Sequence, residues 1–190
     1  MIHSTTDYAQ NVHELRCMKP EDLLARFGTL EPPPFSELSG EYRATLLDQG
    51  GPWFGAFNLS VLNNPLHGFW LGKAFLPAGE REGHGYNMFF RGGKIHRVYR
   101  MRTELRPSRY DGKEAVRLTY AVYNSLCGWV RMLDEVRKVD EGLYLGIGAY
   151  GLRRKAPLPF LLEGPVGPFV GPDRQERWPL GLANIFAKRA

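Results

Sequence analysis

Short stretches in which bulky side chains alternate with small or polar ones, each closed by a turn, recur along most of this chain. That rhythm admits a β-rich fold and little else. Successive side chains of an extended strand point to opposite faces, so alternation means one face turned to a core. The segments 40–48, 67–76, 83–90, 94–105, 113–124, 129–139 and 143–152 carry the pattern, and 53–61 is an apolar run that reads as a strand or a short helix. Between them stand Gln49-Gly50-Gly51-Pro52, Asn63-Asn64-Pro65, Arg91-Gly92-Gly93, Asp111-Gly112 and Asp140-Glu141-Gly142, all turn formers. The clearest hairpin joins 94–105 to 113–124. About eight short strands in succession predict a barrel or sandwich.

The flanks read differently. Residues 1–18 are polar and mixed, with weak helical character. Residues 19–28 predict a short helix: Pro20 in its first turn, Glu21 and Asp22 where the helix dipole favours acids, Gly28 as its stop. Pro32-Pro33-Pro34 is an extended connector. Beyond 156 the prolines at 157, 159, 165, 168, 172 and 179 argue against regular central strands, so 156–190 is expected to wrap irregularly over the sheet, with a short helix at 180–188. With 190 residues the chain can bury one substantial core. The expected organisation is a single domain over 1–190: helix and connector at 1–39, barrel at 40–155, C-terminal wrap at 156–190.

Charge and composition narrow the partners. The net charge is +5, but the basic residues are dispersed. The densest basic stretch, 94–106, interleaves its charges with apolar residues as a strand would, and no nucleic-acid motif is present. No nucleic-acid partner is expected. Cys17 and Cys127 have no metal-ligand spacing, so no metal and no disulfide framework is expected. No apolar run is long enough to span a bilayer, and residues 1–7 lack the charged start and apolar core of a signal peptide. The expected location is cytoplasmic, without a membrane span.

In 67–75 the bulky Phe69, Leu71 and Phe75 fall on one strand face, and Gly68, Trp70, Gly72 and Ala74 on the other. Glycine on both sides of one large ring implies that another surface approaches the strand closely. Gly68-Phe69-Trp70-Leu71-Gly72-Lys73, followed by Phe75, resembles the signature of the GXWXG family of uncharacterised lipocalin-like proteins from bacteria and fungi. The similarity extends upstream over Phe27, Leu30, the prolines and 38–43, where Gly40-Glu41-Tyr42 stands at the opening of that family's first strand, with Tyr42 as the aromatic. The resemblance spans about residues 27–76. It implies a single antiparallel lipocalin/calycin-like β-barrel and brings no activity with it.

Two charges sit on strand faces that are otherwise apolar. Arg97 shares a face with Ile95, Tyr99 and Met101, and Asp134 with Val130, Met132 and Val136. If those faces point inward, both charges must be neutralised, because an unpaired buried charge costs several kcal/mol. Either they pair with each other, or Arg97 and Tyr99 hold the acid group of a ligand. His84 shares a face with Tyr86, Met88 and Phe90, and a histidine and tyrosine in a closed pocket could serve as acid and base. Of the other histidines, His67 stands at a strand entrance and His96 on the expected outer face. A haem would need one of these histidines as axial ligand, and nothing local selects one. Gly146-Ile147-Gly148-Ala149-Tyr150-Gly151 has dinucleotide-motif spacing but lies inside a strand and opens no helix, so its glycines mark a bend or cavity space.

These observations lead to a barrel that binds a small lipophilic molecule, plausibly an acid, without a cofactor. The residues assigned to the ligand are Trp70, His84, Tyr86, Arg97, Tyr99, Tyr120 and Asp134. A rival reading is a cofactor-independent enzyme of isomerase or cyclase type, with His84 or Tyr86 as acid or base. A third is a filled barrel in a homo-oligomer, such as a homodimer, that uses the C-terminal tail as its interface.

Overall fold

The structure, a computed structural model, describes residues 5–51, 56, 63–64, 68–151 and 157–174. In chain order it comprises α1 (Thr5–Cys17), α2 (Pro20–Thr29), a 3-10 turn (Phe35–Glu37), β1 (Gly40–Leu46), β2 (Asn63–Asn64), β3 (Gly68–Pro77), β4 (Glu82–Arg91), β5 (Lys94–Pro107) and β6 (Glu114–Thr119). Then follow α3 (Leu126–Trp129), β7 (Leu133–Asp140), β8 (Leu143–Ala149) and β9 (Leu158–Gly167). The sheet runs β1-β9-β8-β7-β6-β5-β4-β3-β2, and β1 also pairs with β3. That last pairing closes eight antiparallel strands, β1 and β3 to β9, into a lipocalin/calycin-like barrel; β2 is a two-residue appendix on β3.

Closure depends on a glycine. Across the seam Arg43 faces Gly72 and Tyr42 faces Lys73. A Cβ on Gly72 would lie 1.9 Å from the Tyr42 carbonyl oxygen, so no other residue lets β1 come this close. This is the close approach that the glycine-flanked Trp70 implied.

The interior and the outer face each carry a core. Inside, Tyr42, Phe75, Met101, Val116, Leu118, Val136, Tyr144 and Leu162 pack together, and Phe35 and Leu38 plug one end. Gly146 leaves room for the Phe160 ring, which a Cβ would meet at 2.2 Å. Outside, Leu143, Leu145, Ile147 and Leu161 are covered by Leu15 of α1 and by Leu23 and Phe27 of α2. Burying Leu23 and Phe27 completely contributes about 1.5–3 kcal/mol each. Arg137 fixes the end of α2: its buried guanidinium donates to the Phe27 carbonyl at 2.8 Å and pairs with Asp111 at 2.6 Å.

Several expectations need correction. Residues 5–17 form a full helix, because Leu15 is buried on the barrel with Tyr8 and Val12 packed beside it, and that contact outweighs weak propensity. Residues 158–167 are a barrel strand rather than a loose wrap. Pro159 lies one residue inside β9, and Pro165 falls where the β1 register shifts between Glu41 and Arg43, so 160–163 can pair on both sides. Among the described residues of the expected wrap, 168–174 runs irregularly over the outer face. Residues 120–132 leave the sheet as a connection containing α3, which shortens the expected strands at 113–124 and 129–139. The expected elements at 53–61 and 180–188 lie outside the described residues, apart from Ala56.

Candidate functional site

The strands end at Leu46, Gly68, Thr119, Leu133, Ala149 and Leu158 on the side away from the Phe35–Leu38 plug; we call this side the mouth. Near the plug the inner side chains are buried, with Leu105 partly so. Toward the mouth Ala44, Leu46, Trp70, Tyr99, Cys127 and Met132 are only partly buried. These partly buried apolar side chains outline the mouth half of the interior, here called the cup.

A buried polar cluster forms the floor of that cup. Lys73 is fully buried, and its ammonium donates to Asn87 Oδ1 at 2.9 Å and Tyr120 Oη at 2.6 Å. Its third partner is Asp134 Oδ2 at 2.8 Å. An ammonium has three donors, and all three are used. Tyr120 donates to Asp134 Oδ2 at 2.9 Å and accepts from Asn87 Nδ2 at 3.2 Å. Trp70 Nε1 donates to Asn87 Oδ1 at 3.2 Å. The rings of Trp70, Tyr120 and Phe160 surround the ammonium with centroids at 5.2, 5.3 and 5.2 Å. Trp70 and Phe160 meet edge to face at 5.7 Å. Complete burial, then the Asp134 charge, push the Tyr120 hydroxyl well above its ordinary pKa. Burial first, then the charges of Asp134 and Cys127, take Tyr150 up to about 12.

One atom of this cluster stands apart. Asp134 Oδ1 is buried and has no hydrogen-bond partner among the described residues. It lies beside the bare backbone of Gly148, whose Cβ would come within 2.9 Å of it. The cluster is thus a closed, neutral ion pair with one unused acceptor. All three Lys73 N–H groups are engaged, so the ammonium has none left for an anion.

The sequence-assigned residues divide between two faces. Trp70, Tyr120, Asp134 and Tyr99 belong to the interior; Tyr99 packs on the inner core and meets Phe89 edge to face. His84, Tyr86 and Arg97 lie on the outer face beneath 168–174. Phe169 packs on both His84 and Tyr86, at 5.7 and 4.9 Å. Tyr86 donates to Glu41 at 2.8 Å and accepts from the Val170 and Gly171 amides at 3.1 and 3.3 Å. Arg97 pairs with Glu41 at 2.6 Å, not with Asp134. Asp173 clasps the Arg97 backbone at 3.0 and 2.8 Å, and lies 3.8 Å from His96. His84 is held below its usual pKa by burial and then by Arg100. His67 lies outside the described residues.

His84 and Tyr86 share their face with Met88 as alternation has it, but that face is the outer one, covered by Phe169; two bulges explain why alternation misplaced Arg97 and Trp70. The β4–β5 register shifts between Gly85 and Asn87, next to Tyr99 at φ 56°, so Arg97 and Met101 fall on opposite faces. The β3–β4 register shifts between Trp70 and Gly72, so Trp70, Lys73 and Phe75 all face inward. Sequence reasoning missed Lys73, Asn87 and Phe160. The signal for Lys73 and Asn87 was available: each is a polar residue inside an otherwise apolar or glycine-rich strand. Among the described residues no group of three His, Cys, Asp or Glu side chains could hold a metal, and no helix is long and apolar enough to cross a membrane.

No family model matches this chain, and no curated protein does. The likeness to the GXWXG proteins therefore rests on the motif residues alone. The fold has a solved counterpart in the crystal structure of a protein from Thermomonospora curvata, 18% identical, with a TM-score of 0.58 over 83% of this chain and 95% of that one. This similarity is one of fold, and the barrel it establishes is compatible with ligand binding.

Proposed function

We propose that the mouth half of the barrel binds a small lipophilic molecule. The observation that carries this reading is the set of partly buried apolar side chains in the mouth half, Ala44, Leu46, Trp70, Tyr99, Cys127 and Met132, beside the buried ion pair, against a plug half in which Leu105 alone of that inner cluster is partly buried. Barrels of about eight strands have interiors wide enough for one such ligand. Apolar walls with a few fixed polar groups are the usual make-up of a small-molecule site. Lys73 and Tyr120 each spend their hydrogen bonds on neighbours, which suits a fixed recognition floor better than proton transfer.

The test is a titration with the neutral fluorophore N-phenyl-1-naphthylamine. The expected result is saturable binding at one site, abolished in Ala44→Trp, where a ring enters the cup from β1, with an unchanged circular-dichroism spectrum. An absence of saturable binding to the wild type, or equal binding by a folded Ala44→Trp variant, removes the reading.

A further inference from the structure

Building on the cup reading, we infer that the ligand is uncharged and brings a hydrogen-bond donor, a hydroxyl or an amide N–H, to Asp134 Oδ1. The argument counts donors and acceptors. Lys73 has three N–H groups and three acceptors within 2.6 to 2.9 Å. The Tyr120 hydroxyl donates once and accepts from Lys73 and Asn87. Asn87 Oδ1 accepts from Lys73 and Trp70. Every polar atom of the floor is matched except Asp134 Oδ1. A buried carboxylate oxygen without a donor is unfavourable, and a bond to a charged acceptor is among the stronger ones. What the floor lacks is one donor.

Charge selects further. Lys73 and Asp134 already cancel, and both are buried. A carboxylate in the cup would face Asp134 with no N–H left on Lys73 to receive it. An ammonium would add an uncompensated charge to a neutral site, at a desolvation cost. Arg97, which could have served an acid, is engaged by Glu41 on the far side of the sheet. Gly148 supplies the access: a single methyl there would press on Oδ1 at 2.9 Å.

The experiment displaces N-phenyl-1-naphthylamine from the wild type with 1-decanol, decyl methyl ether, decanoate and decylamine. These share a chain and differ only in head group. Decanol is expected to compete about tenfold more strongly than the ether, with decanoate and decylamine weaker than decanol. Gly148→Ala is expected to bring the decanol-to-ether ratio toward one, its fold checked by circular dichroism. Decanol and ether within twofold of each other would overturn the inference and leave the cup reading standing, as would tighter binding of decanoate or decylamine. A decanol preference that survives in folded Gly148→Ala would place the donor elsewhere and overturn it too. If the fluorophore itself does not bind, the cup reading fails, and this inference with it.

Discussion

The barrel wall carries a cation, a carboxylate and a tyrosine on each of its two faces, contributed by several strands, and the two clusters are finished in different ways. On the outer face Arg97, Glu41 and Tyr86 are completed by the chain: the amides of Val170 and Gly171 donate to the tyrosine hydroxyl, and Asp173 holds the Arg97 backbone. On the inner face Lys73, Asp134 and Tyr120 satisfy one another and leave one carboxylate oxygen over. The outer cluster fastens a segment to the barrel. The inner one has no such segment to hold among the described residues and keeps one acceptor without a donor. Burial differs as well: the Lys73 and Asp134 side chains are 1% and 0% exposed, against 20% and 11% for Arg97 and Glu41. Solvent screens the outer pair more strongly than the inner one.

The largest expected effect follows from that contrast. Lys73→Met leaves Asp134 buried without its cation and should lower stability by about 3–5 kcal/mol in urea denaturation. Adding Asp134→Leu should recover much of the loss, because a pair replaced by apolar residues of similar size is often neutral. If the double variant stays as unstable as the single one, the floor does more than neutralise charge. Trp70→Ala removes the ring that covers the ammonium and meets Phe160. It should cost about 3 kcal/mol, the low end for a large aromatic because the ring is only partly buried.

On the outer face the changes should be smaller and more local. Tyr86→Phe deletes one hydroxyl that serves three partners and should cost about 1 kcal/mol. Its clearer sign should be faster hydrogen exchange at the Val170 and Gly171 amides with no change at the inner strands. Uniform acceleration would mean that the two clusters are coupled. The smallest effect is a pH dependence at His84. Burial and Arg100 hold its folded pKa below 6.5, so the unfolded chain takes up a proton first as the pH falls. Stability from this site should be complete above about pH 6.5, decline as the pH drops through that value, and level off below the folded pKa. Denaturation midpoints across that range should lose this slope in His84→Gln.

The barrel was legible because most strands alternate cleanly: Leu143, Leu145 and Ile147 face one way, and Tyr144, Gly146 and Gly148 the other. β9 was not legible, because two prolines in a ten-residue strand count against it until one sees that they sit near its ends. The site was half legible. Asp134 was rightly placed inside, since no bulge interrupts β7 at that point. Its partner was misassigned, because the bulge beside Tyr99 reverses the parity of Arg97 relative to Met101. A bulge moves one residue of register and leaves composition untouched, so a period-two count passes over it. The helix at 5–17 was obscured for a different reason. Its stability comes from the outer faces of β8 and β9, far away in sequence.

That distance also bears on how the chain acquires its shape. β1 joins β9, and Gln49 just beyond β1 donates to the Pro159 carbonyl across 110 residues of sequence. When the first strand leaves the ribosome it can meet β3 soon afterwards, but its second neighbour and the platform for α1 and α2 are made some 110 residues later. The amino-terminal helices therefore wait, with Leu15, Leu23 and Phe27 incompletely covered, until β8 and then β9 arrive. Contacts of such long range slow folding and lengthen the exposure of apolar surface. A nascent chain halted before residue 158 would hold two helices with only β8 to rest on, an open sheet edge, and a natural target for a chaperone.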